Sequence, residues 1–401
     1  MFANGRTHLA IPGPSISPDA VLRAMHRTSD DIYGADMAKM ADTIYPALKA
    51  LAMTTVAEPI IYVGNGHAAW EAAMANTLQA GDRVLVLSTG LFGQGWANQA
   101  RRMGADVDVI DFGLTDGADP ARTRDALAAD LAQNKTPYKA VFLSHVDTAS
   151  GLCNPVAPIR AALDDAGHPA LFMVDCIASL GCDRFEMDAW GVDVVVATSQ
   201  KGLMVPPGIC FVYFGPQAIA ARGALGVVPA YWDVQTRLPD NPFHWRFGGT
   251  PPVQHLHGLC AALDMIMAEG LDNVLNRHAV LARSVWAAFD VWAEQGPVAL
   301  CVADPALRAH AVTSAIAGPG NGLRLRNWTE TFTGVTLGVG IGREQGDDYF
   351  RVAHMGHVNA HGILGVLGAM DAGLKALNIP HGRGALEAAV TVIADATSAT
   401  A

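Results

Sequence analysis

The sequence predicts an α/β fold: a mostly parallel sheet covered by helices on both faces, followed by a smaller α+β domain. Two observations carry this. Short β-rich runs alternate with helical stretches of about a dozen residues through most of the chain, as they do when parallel strands are joined by crossover helices. The runs that lead to Asp175 and to Lys201, Ala170–Val174 and Val192–Ala197, read as strands buried in such a sheet.

Taken in order, an N-terminal arm (residues 1–20) contains Leu9-Ala10-Ile11-Pro12-Gly13-Pro14 and leads into helical stretches at Pro18–Met25 and Met37–Met53. Ile60–Val63 is the first strand of the large domain, followed by Gly64-Asn65-Gly66-His67 and a helix over Ala68–Leu78. Strands at Arg83–Leu87 and Asp106–Ile110 enclose a helix near Trp96–Met103. The alternation continues through Ala140–Ser144, a helix near Pro158–Asp165, the strands before Asp175 and Lys201, and Cys210–Phe214. A long helical pattern, Val253–Ala268 and Asn273–Gln295, leads out of this domain, so the large domain spans 21–275 and a small C-terminal domain 276–401. The latter holds strands at Val335–Val339 and Phe350–His354, a helix over Ala360–Leu377 and an alanine-rich tail expected to fray after Ala394.

The 401 residues are 51% apolar and 16% charged, a balance suited to a large core and an oligomer interface. A net charge of −11 argues against general binding to a nucleic-acid backbone. Six cysteines form no Cys-x-x-Cys pair and read as buried thiols of a reducing compartment. Met1–Arg6 lacks an apolar signal core, and no apolar run is long enough to span a membrane, which makes the cytoplasm the expected location.

Lys201 is one of six lysines and lies in Thr198-Ser199-Gln200-Lys201-Gly202, at the mouth of a buried strand. The other five lie in polar or amphipathic contexts that suit a solvated ammonium. A lysine that carries a cofactor as a Schiff base must lose its proton, which desolvation favours. Asp175 ends the preceding buried strand and is the kind of carboxylate a pyridinium nitrogen needs. Together the two residues point to pyridoxal 5'-phosphate (PLP).

The other candidates fall at the carboxyl ends of strands, where ligands sit in open parallel sheets. Gly64-Asn65-Gly66-His67 precedes a helix whose free N–H groups suit a phosphate. Ser88–Trp96 places Phe92 and Trp96 in a glycine-rich loop, with Trp96 expected to fill core. Ser144–Gly151 offers Thr148 to a cofactor hydroxyl or phosphate and Asp147 as a turn cap. Arg351, flanked by Phe350 and Val352, is suited to a carboxylate through two parallel hydrogen bonds.

These residues resemble the class V aminotransferases, in particular the alanine–glyoxylate and serine–glyoxylate enzymes. The resemblance runs from Pro12-Gly13-Pro14 through Gly66-His67 to Arg351–Gly356, and its most specific parts are Val174–Gly181 and Ser199–Gly202 followed by Pro206-Pro207-Gly208. It implies PLP fold type I, with a mostly parallel seven-stranded large domain and a smaller C-terminal α+β domain. It also implies that Lys201 binds the cofactor covalently, that Asp175 pairs with the ring nitrogen, and that Ile177 and Phe92 cover the two ring faces. Gly66, His67 and Gln200 would hold the phosphate, and Thr148 would help place the ring. Phe247 and Thr250 match a segment that enters the neighbouring subunit's site, implying a homodimer and leaving open whether it pairs further into a tetramer. Arg351 would clamp the α-carboxylate. The implied activity is ping-pong transamination of glyoxylate to glycine.

For the donor, the segment His26–Gly34, with Tyr33, departs from the family pattern. The tail from His354 to Ala394 resembles two branches: aspartate–glyoxylate aminotransferase of the β-hydroxyaspartate route and pyridoxamine–pyruvate aminotransferase. The latter carries an acid where this chain has Asn65, so Asn65 favours bound PLP. L-Aspartate is the expected donor, with Arg27 and Arg246 as candidate partners of its β-carboxylate, and serine or alanine as alternatives. Two readings of other classes are a cysteine desulfurase, which needs a reactive cysteine near the site, and a non-catalytic PLP-fold binding protein, which would not need to retain Lys201 and Asp175.

Overall fold

The computed structural model describes residues 2–133 and 135–398; Met1, Asn134 and residues 399–401, including the end of the tail expected to fray, lie outside them. A seven-stranded sheet forms the larger body, in the order 58–64, 208–214, 194–198, 171–175, 140–144, 83–88, 106–111. Every strand but Gly208–Phe214 runs in one direction; that strand pairs antiparallel with both neighbours. The central strands are buried along their whole length, which explains their near-continuous Val, Leu and Phe content.

Apolar cores lie on both faces. One joins Val141, Phe172 and Val195 to the helices Ala35–Leu51 and Val253–Glu269. The other joins Phe142, Met173 and Val196 to Trp70 and Trp96. In register, Ser144 lies opposite Asp175 and Asp175 opposite Val196, so the carboxyl ends of the central strands form one edge.

A second, five-stranded sheet packs the smaller body, with Phe350 and Val352 against the helices Leu271–Ala293 and Ala360–Ala376. Its edge strand comes from the N-terminal arm: His8–Ala10 pairs parallel with Val335–Leu337. The boundary expected at 275 lies inside the helix Leu271–Ala293. We place the division within that helix, because Val274 packs in the first core and Leu281 in the second.

Several expected elements change. The helix expected over 68–78 is Gly66–Ala75, because the Asn65 carboxamide oxygen accepts the N–H groups of His67 (3.1 Å) and Ala68 (3.4 Å) and starts it earlier. The glycine-rich loop expected around Phe92 is instead the first turn of a helix, Leu91–Arg102. The tail expected to fray after Ala394 stays helical from Ala385 to Ser398, anchored by Ala385 and Ala389 in the second core. Of the cysteines expected to be buried, Cys153, Cys260 and Cys301 are only half-buried; all six are free. Among the described residues, no helix is long and apolar enough to cross a membrane and no cluster of His, Cys, Asp or Glu is arranged to hold a metal.

Candidate active site

Lys201 occupies the turn between the strands Val194–Thr198 and Gly208–Phe214, and the N-terminal arm lies across it. Ser15 donates its backbone N–H to the Gln200 carbonyl (2.8 Å) and its hydroxyl to the Lys201 carbonyl (2.7 Å). The Lys201 ammonium donates to the carbonyl of Pro12. Gly13 allows this approach: its φ is +109°, and a Cβ there would lie 2.3 Å from Lys201 Nζ. Burial, aided by the Arg351 guanidinium, pushes the Lys201 amine down to about 8.

Asp175 ends the central strand Leu171–Asp175 and is 3% exposed. One carboxylate oxygen accepts the N–H of Ile177 (2.7 Å) and the other the indole N–H of Trp70 (3.0 Å). Burial pushes this carboxyl up to about 7, against those two donors. A cation placed in the cavity would draw it back to the ionised form.

One cavity joins these two groups to Gly66, His67, Phe92, Thr148, Ile177 and Gln200, so eight of the residues expected from the sequence meet in one chain. Asn65, Trp70, Val146 and Ala178 complete its wall. Gly66 is tightly set, since a Cβ there would lie 2.7 Å from Ile177 Cδ1.

Arg351 stands on the strand Tyr349–Ala353 of the second sheet, beside this cavity and outside its immediate wall. Its Nε donates to the Val339 carbonyl (2.7 Å) and Nη1 to the Thr148 carbonyl (3.0 Å), which bridges the two bodies. Burial lowers the guanidinium to about 10, so it stays charged at neutral pH. Asp147 underlies the arrangement. It is fully buried and accepts the N–H groups of Phe92 (2.8 Å), Gly93 (3.2 Å) and Ala149 (2.9 Å). Asp147 thus caps both its own turn and the helix Leu91–Arg102, which explains why the Phe92 segment is helical.

The remaining candidates lie elsewhere. Tyr33 and Thr250 meet in a separate surface pocket with His244 and Trp245. Arg27 is tied to Asp30 (3.0 Å) and His257 (3.1 Å). Arg246 donates to the carbonyls of Asn241 and Pro239 and covers the Tyr45 ring. Phe247, expected to reach a neighbouring subunit, is 1% exposed and packs in its own chain's core against Phe243. Of that pair only Thr250 is exposed. No cysteine lines the cavity, which removes the support a desulfurase reading needs.

Sequence reasoning passed over Trp70 and Ser15. Trp70 had a signal, because it follows Gly66 by four residues and so shares its helix face. Ser15 had none, since its partner lies 186 residues away.

The donor set fits PLP. The Asp175 carboxylate retains lone pairs toward the cavity, Gly66 and His67 open a helix N-terminus, Gln200 lines the same cavity, and the Thr198 hydroxyl is buried without a partner among the described residues. The comparisons agree. The aminotransferase class-V family model matches residues 8–313. The chain is 33% identical over 384 residues to serine–glyoxylate aminotransferase of Arabidopsis thaliana, covering 95% of this chain and 93% of that protein. It is also 33% identical over 376 residues to L-aspartate–glyoxylate aminotransferase of Paracoccus denitrificans, covering 92% and 91%. The crystal structure of pyridoxamine-pyruvate aminotransferase from Mesorhizobium loti superposes with a TM-score of 0.87 at 25% identity, covering 97% of each chain. The chain belongs to the class V aminotransferases, PLP-dependent enzymes of fold type I.

Proposed function

We propose that the enzyme transfers the amino group of L-serine to glyoxylate, forming glycine, by ping-pong transamination. The observation that carries this reading is the convergence of Lys201, Asp175 and the Gly66–His67 helix N-terminus on one cavity, with Arg351 beside it. Bound PLP supplies an electron sink for the Cα–H bond of the amino acid. Lys201 would anchor it covalently and, once released, would accept the Cα proton on Nζ and deliver it to the cofactor carbon that carries the amino nitrogen. Asp175 keeps the ring nitrogen protonated, and Ile177 and Phe92 hold the ring between them. Gly66, His67 and Gln200 bind the phosphate, while Thr148 orients the ring. Arg351 clamps the carboxylate of donor and acceptor alike. Thr250 and Tyr33 serve the cavity of a second copy, so the working form is a homodimer.

Serine is preferred over the aspartate expected from the sequence. Aspartate brings a second carboxylate, but Arg27 and Arg246 are engaged elsewhere and the cavity offers Val146 and Ala178. A small uncharged side chain suits those walls, and a relative that covers nearly the whole chain bears the serine–glyoxylate name. The test mixes PLP-loaded enzyme with glyoxylate and serine, alanine, aspartate or pyridoxamine, and quantifies glycine and the carbonyl product. Fastest glycine formation from serine, with hydroxypyruvate alongside, supports the proposal. Fastest formation from aspartate, with oxaloacetate, restores that donor, and no glycine from any of them overturns glyoxylate as the acceptor.

A further inference from the structure

The scheme above leaves Trp70 without a role, yet among the described residues its indole is the one side chain that hydrogen-bonds the Asp175 carboxylate. Trp70 is 1% exposed, on the helix Gly66–Ala75. Behind it, Trp96 stacks almost parallel (centroids 5.8 Å apart, 9° between planes), and Trp96 in turn stacks on Phe142 of a central strand (4.4 Å, 20°). The indole is therefore held from the rear by rigid aromatic surface, and its N–H points at one oxygen of Asp175 while Ile177 N–H occupies the other.

We propose that Trp70 is a positioning residue that fixes the rotation of the Asp175 carboxylate and directs a free lone pair at the ring nitrogen of bound PLP. This rests on the reading that Asp175 meets that nitrogen. A carboxylate oxygen accepts two hydrogen bonds, so the Trp70 donor and the ring nitrogen are compatible on the same atom. The indole donor also opposes the effect of burial. Burial alone drives Asp175 toward the neutral acid, and the Trp70 and Ile177 N–H groups favour the ionised form that pairs with a protonated ring. Without the Trp70 donor the carboxylate is freer to rotate and is more readily protonated. Both changes weaken its hold on the ring nitrogen.

The test is a double-mutant cycle read by the PLP dissociation constant, measured by equilibrium dialysis of the full-length apoprotein. Trp70→Phe keeps an aromatic ring and removes the N–H. It is expected to raise the dissociation constant about tenfold when Asp175 is present and less than about twofold in an Asp175→Asn background. An equal effect in both backgrounds assigns Trp70 to packing alone and overturns the proposal, as does an unchanged constant in the single variant. If Asp175→Asn by itself leaves the constant unchanged, the reading of Asp175 fails first and takes the proposal with it. Circular dichroism of each apoprotein checks the fold. Should Trp70→Phe unfold, benzothienylalanine incorporated in place of Trp70 gives the same comparison, because sulfur replaces the N–H within the same bicyclic shape.

Discussion

The Asp147 carboxyl accepts the backbone N–H of Phe92 at 2.8 Å, so a buried acid beside the cavity holds the residue proposed to cover the cofactor ring. The same side chain receives Gly93 and Ala149, and Thr148 next to it offers its carbonyl to Arg351. Asp147→Ala would leave these buried donors without an acceptor. The expected loss is ~1–3 kcal/mol of stability, with weaker binding of PLP. Urea unfolding of the apoprotein measures the first and dialysis the second. A variant as stable as the parent would show that water replaces the carboxylate at no cost.

Lys201 is expected to govern the pH dependence of cofactor capture. Its folded value is lowered to about 8, so the amine is protonated and unreactive below that pH and becomes the neutral nucleophile as pH rises through it. The rate at which apoprotein captures PLP should climb from about pH 6 and level off above about pH 9. A rate that still climbs through about pH 10.5 would indicate an ordinary solvated lysine.

Arg351→Lys should raise KM for both amino donor and oxo acceptor and lower kcat/KM by about 100-fold, because an ammonium cannot reproduce the paired hydrogen bonds of a guanidinium. Its effect on the two substrates should be similar, since both carry the carboxylate it is proposed to hold. A loss confined to one of them would move Arg351 to the side-chain end of the site.

Asn65 separates helix capping from phosphate binding. Its carboxamide oxygen caps the helix Gly66–Ala75, a task aspartate performs about equally well, so Asn65→Asp should change stability by less than ~0.5 kcal/mol. The added charge lies at the cavity wall beside the proposed phosphate site. Affinity for PLP should therefore fall at least ~10-fold relative to affinity for unphosphorylated pyridoxal. Equal losses for both vitamers would place the phosphate elsewhere.

What the sequence by itself determined is the architecture of the large sheet and the chemical pair at its edge. Continuous apolar runs specify buried strands through local burial alone, and a lysine or aspartate at the end of such a run is visible without knowing its neighbours, which is why Lys201 and Asp175 stood out. The later part of the helix Leu91–Arg102, near Trp96–Met103, was legible, but its start at Leu91 was not, because its cap is Asp147, 55 residues beyond Phe92. Tertiary structure alone also decided that Phe247 is core, that Arg27 and Arg246 are engaged away from the cavity, and that the arm residues Pro12 and Ser15 embrace Lys201. The bond from Trp70 to Asp175 joins residues 105 apart. Hydrogen-bond partners and burial depend on which segments the completed fold brings within about 3 Å of one another, and periodicity along the chain does not encode that distance.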